Sequence, residues 1–228
     1  MVASDTHLSP KRSVVFALSG EPRQLEGSTI RAIESIQARA SNIVVTVPTG
    51  VLDASERLSH LNARIVPVST SRYSPANYIA GMEALDPVRN EIDELVLTGD
   101  GWFGPLASFD SMLERMDATD LDGWQAAEIA GTLDESFGAQ GHPLRVMPWA
   151  WFVARRSLFE SAAWAQFWNE LPKQTEEVLQ ERRIAPQMIL GGHRIEFAFS
   201  AASYPTCNAP VHVADLLIQD GYPFLDRG

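Results

Sequence analysis

Residues 93–105 read DELVLTGDGWFGP, and the fold turns on them. The run from Asp93 to Thr98 is short and apolar at its centre. It then meets glycines at 99, 101 and 104, with a single carboxylate, Asp100, between the first two. A run this short, bounded by turn residues, is the pattern of a strand buried on both faces of a parallel sheet. Three similar runs precede it: residues 13–19 (SVVFALS), 42–48 (NIVVTVP) and 64–68 (RIVPV).

Helical patterns separate these runs. Between Arg23 and Ala40, Leu25, Ile30, Ile33 and Ile36 recur at near-helical spacing. Asp53, with Glu56 three residues on, has the form of a capping box for a helix through Leu61. Ser74-Pro75 opens a third helix to Leu85, with proline in a favourable first-turn position. The first hundred residues therefore read β-α-β-α-β-α-β, which implies a parallel sheet with crossover helices. In such sheets ligands sit beyond the carboxyl ends of the strands, so the loops after Ser19, Val68 and Thr98 are where chemistry is expected. The second half is more mixed. Helices are expected over Leu106–Met116, Ser157–Leu171, Glu176–Leu190 and Val211–Gln219. Strands are expected over Gly123–Ile129, Val146–Ala154 and Arg194–Ser200.

Composition narrows the function. Of 228 residues, 45% are hydrophobic and 21% charged, enough for a packed core and unlike a disordered chain. The formal net charge of −11 disfavours a nucleic-acid or anionic-membrane partner. One cysteine, Cys207, rules out an internal disulfide scaffold. No stretch approaches the roughly 20 apolar residues of a membrane span. These features lead to the expectation of a cytoplasmic protein without an integral membrane segment, compatible with work at the inner face of the membrane. No Gly-x-Gly-x-x-Gly fingerprint follows the first strand, and neither a Walker loop nor a Gly-x-Ser-x-Gly elbow is present. Dehydrogenase, P-loop and esterase readings lose their usual support.

Asp100 carries the chemistry. A carboxylate at a strand end can bind a divalent metal, Mn or Mg, which would neutralise a diphosphate leaving group. Gly99 and Gly101 would let the backbone approach the ligand. The alternative is a helix cap or an Asx turn. Arg72 precedes the third helix near the strand ends and is the best cation for a nucleotide phosphate, unless it is a solvated surface residue. Trp149 and Trp151 alternate on an expected strand and could stack on a sugar or pack in the core. His142 follows the loop 138–141, His193 sits beside Gly191-Gly192, and His212 lies near the end. No spacing supports a zinc site. The basic pairs Arg155-Arg156 and Arg182-Arg183 fit a phosphate or plain solvent.

The string from Asp93 to Pro105, then Met112 to Met116 and Asp122-Gly-Trp124, resembles the rhamnan synthesis protein F family. The likeness continues through Phe152 to Phe159, Phe167-Trp168, Gly192 to Phe197 and Tyr222-Pro-Phe224, densest from Glu94 to Trp168. It implies a Rossmann-like GT-A glycosyltransferase fold, α/β, with a mostly parallel central sheet flanked by helices. The whole chain would be one domain, residues 1–120 holding the nucleotide sugar and 121–228 the acceptor. The implied reaction moves a sugar such as rhamnose from a nucleotide-sugar donor to a glycan or lipid-linked acceptor. By position, Asp100 takes the metal-binding or diphosphate-facing role and Trp124 that of a core or sugar-facing tryptophan. Trp102 joins the substrate-side aromatics. Glu128 falls where an acid could deprotonate the acceptor hydroxyl, or could be a plain strand-end acid. Arg72 and Tyr73 would line the nucleotide side, and a late histidine such as His193 would complete the Asp100 metal site. Departures are visible too. Ser74 stands where the family carries an Asp, Gly99 replaces an Asn, and residues 146–151 (VMPWAW) replace a His-Gln-Ser segment. These changes keep open a second expectation, a non-catalytic glycan-binding or scaffold protein with the same fold.

Overall fold

The apolar runs become strands because β-branched residues suit a pleated surface buried on both sides. In the computed structural model the described residues are 9–19, 25–49, 51, 53–70, 75–127, 129–130, 145–146, 151–171, 184–204 and 213–226. Strands β1 (Arg12–Ala17), β2 (Asn42–Pro48), β3 (Arg64–Val68) and β4 (Glu94–Gly99) match the sequence reading within two residues at each end. Helices α1 (Gly27–Gln37), α2 (Ala54–Arg57) and α3 (Pro75–Leu85) connect them. The later strands are β5 (Trp102–Phe103), β6 (Gly123–Ala127), β7 (Ile129–Ala130), β8 (Arg145–Val146), β9 (Trp151–Arg155), β10 (Ile195–Phe199) and β11 (Leu225–Asp226). The later helices are α4 (Asp110–Asp117), α5 (Arg156–Phe159), α6 (Ala162–Glu170), α7 (Ile184–Leu190) and α8 (Ala214–Gln219).

Seven strands form the main sheet in the order β10-β6-β9-β4-β1-β2-β3. Strand β1 runs parallel to β2 and β4, β2 to β3, and β6 to β10. Only β9 opposes its neighbours, β4 and β6. The fold is thus the expected mostly parallel, Rossmann-like α/β sheet flanked by helices.

Alternation along the strands builds two cores. Val14, Phe16, Val45 and Val96 pack with Ile33 and Ile36 of α1, Leu58 at the end of α2, and Met112 and Leu113 of α4. Val15, Ala17, Val44 and Leu97 pack with Tyr78, Leu85, Phe159, Trp164 and Trp168 of α3, α5 and α6. Helix α3 lies so close to β1 that a Cβ at Gly81 would stand 2.3 Å from Val15 Cγ1. Helices α1 and α2 cover one face while the chain steps from β1 to β3. Helix α3 covers the other face as the chain returns past β1 to β4. Right-handed crossovers require that change of face. The strand order therefore reverses between β1 and β4.

The second half departs from its sequence pattern at several places. The expected helix from Leu106 starts only at Asp110, and Leu106 is half exposed. The expected helix over Ser157–Leu171 breaks because Ser161 caps a new one, its hydroxyl accepting the Trp164 N–H at 3.1 Å. The proposed capping box at Asp53 does not form. Its carboxylate accepts the Leu25 N–H at 2.9 Å, and α2 is a single turn. The described part of the 146–154 run divides into β8 and β9, and β5 pairs with β11 in a small antiparallel ladder. No helix among the described residues is long and apolar enough to cross a membrane.

Antiparallel β9 is pinned at the N-terminal edge of the sheet by buried charge. Glu94, 1% exposed, accepts from Arg12 Nε at 2.7 Å and from Arg155 Nε at 3.0 Å. Arg12 also pairs with Asp117. The Arg155 guanidinium donates to Met116 O at 2.7 Å and Leu121 O at 3.1 Å, closing the carboxyl end of α4. Removing one partner from such a network strands the others in a low-dielectric interior. Glu94→Ala is expected to cost about 3–5 kcal/mol of unfolding free energy, read by urea denaturation at neutral pH. A loss below about 1 kcal/mol would show the network to be marginal.

Candidate functional site

The carboxyl ends of β1 and β4 meet where the strand order reverses, the place where open α/β sheets bind ligands. Register brings Ala17 level with Gly99, so Ser19 and Asp100 emerge side by side. Asp100 Oδ1 accepts the Ser19 backbone N–H at 2.9 Å, and Oδ2 faces the Ser19 hydroxyl at 3.0 Å. The side chain is partly exposed. Asp100 thus bridges two strand ends. Among the described residues a Cβ built at Gly101 would meet no atom within 4 Å.

Neighbouring contacts brace this edge. Asn77, fully buried in the first turn of α3, donates from Nδ2 to Leu18 O at 3.1 Å and accepts the Thr70 hydroxyl at 2.7 Å. It fastens the ends of β1 and β3 to α3. Asp53 and Arg57 hold the backbone of Leu25, the carboxylate taking its N–H and the guanidinium its carbonyl. Sequence reading missed Ser19, Asn77 and these roles of Asp53 and Arg57. The available signal was position alone: Ser19 follows the carboxyl end of β1, and Asp53, Arg57 and Asn77 lie in the segments that follow β2 and β3.

Other expectations are corrected. Gly99 is buried, and a Cβ there would come within 2.5 Å of Ala17 O. Its smallness serves the pairing of β4 with β1. Trp102 is 3% exposed, wedged against Phe224 at 4.5 Å between ring centroids, with its indole N–H donated to Thr98 Oγ1 at 3.1 Å. Trp124 is fully buried, and Trp151 stacks on Phe109 at 5.1 Å. These three tryptophans form core, not a sugar-facing platform. Among the described residues the indole N–H groups of Trp124 and Trp151 have no hydrogen-bond partner. Glu128, Arg72, Tyr73, Ser74 and Trp149 lie outside the described residues, as do His142, His212, Cys207, Arg182 and Arg183.

His193 cannot join Asp100. Ile195 is level with Gly123, Gly123 with Ala154, and Ala154 with Leu95, so His193 lies at the amino-terminal edge. Asp100 stands five positions beyond Leu95, roughly 17 Å along the strands alone. His193 Nδ1 instead lies 3.7 Å from Asp122. Among the described residues no group of three or more His, Cys, Asp or Glu side chains could hold a metal ion. An open groove of about 450 Å³ lies between the end of α1 and the segment leading into α4, lined by Arg39, Pro105, Leu106 and Phe109. Its cation, Arg39, is already paired with Asp110 at 2.6 Å, and the groove is not at the strand ends.

Asp122 organises that opposite edge. It accepts the Ser157 hydroxyl at 2.6 Å and the Arg194 N–H at 2.9 Å, joining the starts of β6, α5 and β10. The Ser157 hydrogen bond, then the Arg194 backbone bond and the charges of His193 and Arg194, hold its carboxyl below the ordinary value of 3.8, against the opposing effect of burial.

A mostly parallel sheet whose strand order reverses beside a partly exposed carboxylate defines a Rossmann-like α/β fold. The chain belongs to the rhamnan synthesis protein F family, whose model matches residues 52–228. No curated protein matches it in sequence. In structure it is similar to 4-diphosphocytidyl-2C-methyl-D-erythritol synthase from Anaerococcus prevotii, with a TM-score of 0.55 and 11% identity, over 94% of this chain and 99% of that one. A nucleoside-diphosphate-sugar pyrophosphorylase from Vibrio cholerae superposes with a TM-score of 0.49 and 16% identity, over 91% of this chain and 100% of that one. At such identities the likeness is one of fold.

The depressed Asp122 ionisation carries a sign. Its stabilisation is complete above the ordinary value of 3.8 and is lost as pH falls through the lowered one. Asp122→Ala should therefore cost about 2 kcal/mol at pH 7, and the gap from wild type should shrink as pH falls below 3.8. Denaturation at pH 7 and in the acid limb checks this; a gap that widens in acid would contradict it.

Proposed function

We propose that the protein is a nucleotide-sugar-dependent glycosyltransferase of surface-polysaccharide assembly, transferring a sugar such as rhamnose to a glycan or lipid-linked acceptor. The observation that carries this reading is the Asp100–Ser19 pair at the reversal of strand order. Family membership supplies the polysaccharide setting.

In this reading the donor diphosphate docks beyond the ends of β1 and β4. Asp100 faces it, held in one orientation by the Ser19 N–H. One carboxylate is too few for an all-protein metal cage, but Mg²⁺ is commonly held by one or two carboxylates with substrate phosphates completing the shell. The donor set present fits a cation of that kind, with Asp100 as its protein ligand. When bound, such an ion supplies charge neutralisation on the departing diphosphate. The space beside Gly101 admits the ligand, while Asn77 keeps the ends of β1 and β3 from shifting. Glu128 is proposed as the base that takes the acceptor proton, and Arg72 and Tyr73 as the nucleotide-side contacts, on the strength of the family pattern. The protein is placed in the cytoplasm by this function, where nucleotide sugars are made.

Ligand-induced stabilisation tests the reading. A nucleoside diphosphate at about 100 times its dissociation constant adds about 2.7 kcal/mol, or roughly 5–10 °C in Tm for a chain of this size. The shift should require Mg²⁺ or Mn²⁺ and vanish in Asp100→Ala. No shift with any uridine, thymidine or guanosine diphosphate would favour the scaffold reading instead.

A further inference from the structure

The peptide group joining Leu18 to Ser19 is gripped from both sides. The strand ladders end at Ala17, level with Thr46 of β2 and Gly99 of β4, and the Leu18 N–H still bonds Thr46 O at 3.1 Å. Beyond that point side chains take over. The Leu18 carbonyl accepts from Asn77 Nδ2 at 3.1 Å, and the Ser19 N–H donates to Asp100 Oδ1 at 2.9 Å. That carbonyl and that N–H belong to one planar trans unit, so they point in opposite directions and turn together. Asn77 and Asp100 therefore hold opposite ends of a single rigid plate. We infer that Asn77 is a positioning residue of the Asp100 site, setting the Ser19 N–H on which the carboxylate hangs without itself meeting the ligand; its bearing on affinity rests on the nucleotide reading above.

The surroundings of Asn77 fix its orientation. It sits in the first turn of α3 and is fully buried. Its Oδ1 accepts the Thr70 hydroxyl at 2.7 Å, and the Thr70 carbonyl takes the Thr49 N–H at 3.1 Å. A line of hydrogen bonds thus runs from the end of β2, past the end of β3 and the start of α3, to the end of β1 and Asp100. The amide stands one way round. Turned over, it would set its oxygen against the Leu18 carbonyl, an acceptor facing an acceptor with no proton between them. Its hydrogen-bond partners among the described residues, Leu18 and Thr70, do not titrate. A leucine would fill the same space but leave the Leu18 carbonyl and the Thr70 hydroxyl without this partner.

Substitution by aspartate separates positioning from mere support. In Asn77→Asp one carboxyl oxygen can still accept the Thr70 hydroxyl, but the other offers a proton to the Leu18 carbonyl only when the group is neutral. Burial raises the pKa of such a carboxyl, so the wild-type bond should return as pH falls. The experiment uses the full chain and reads each variant against wild type from about pH 8 to about pH 5. One signal is the Ser19 amide resonance of isotope-labelled protein without ligand. The other is affinity for thymidine or uridine diphosphate with Mg²⁺. At the high end Asn77→Asp should displace the Ser19 resonance and bind about tenfold more weakly; at the low end it should approach wild type in both. Asn77→Leu should stay weak throughout, and Thr70→Val, which lets the amide turn, should weaken binding by about threefold. A supporting residue alone would lower Tm and leave both signals of the folded protein unchanged; that result overturns the inference. So does an Asn77→Asp deficit that is the same at both ends of the pH range. Should Asn77→Asp fail to fold, an unchanged Ser19 resonance in Thr70→Val overturns it instead. If wild type binds neither diphosphate while the Ser19 resonance follows the expected course, the nucleotide reading falls and the positioning role stands.

Discussion

The return of the chain from β3 past β1 to β4 is the constraint from which the site follows. Two right-handed crossovers carry it outward, and a third must bring it back with its helix on the opposite face. That reversal sets the carboxyl ends of β1 and β4 side by side. Ser19 and Asp100 lie 81 residues apart in sequence, yet the parallel register delivers them as neighbours. Gly99 permits the contact, since any side chain there would strike the Ala17 carbonyl. The bridge between Ser19 and Asp100 is thus a product of topology, and its chemistry is inherited from where it stands.

The buried charge network and the Asp100–Ser19 pair occupy opposite edges of the sheet. At the amino-terminal edge Glu94, Arg12, Arg155 and Asp122 lock β9, α4 and β10 in place through buried or tightly paired charges. Each charge there meets a partner, as burial demands. At the carboxyl-terminal edge Asn77 and Asp53 instead hold backbone groups of Leu18 and Leu25.

The parallel half of the fold was legible because its signal is local. Four apolar runs separated by helical spacing leave few topologies, and β2, β3 and α3 came out within a residue of their sequence limits. The inserted antiparallel β9 was not legible, because nothing in its composition announces direction or neighbour. The same blindness misassigned His193. Linear order cannot say which edge of a sheet a loop occupies, and the ladder through β9 puts it at the far one. Tryptophan was ambiguous for a different reason: its ring serves a core as readily as a sugar, and only burial separates the two for Trp102, Trp124 and Trp151. Asp100 was found from its glycines, but its partner Ser19 was not, since a serine after a strand is unremarkable until the opposite strand end is known. Glu128 and the 72–74 segment fall outside the described residues, so their assignments stay where the family pattern puts them.

The central claim is that ligand chemistry belongs to the crevice between β1 and β4. A crystal grown with Mn²⁺ and a nucleoside diphosphate, analysed for anomalous scattering from manganese, addresses it directly. The account predicts one strong peak within bonding distance of Asp100, with the diphosphate beyond the ends of β1 and β4. A peak at the Asp122–His193 edge, or a nucleotide seated away from Asp100, would contradict it.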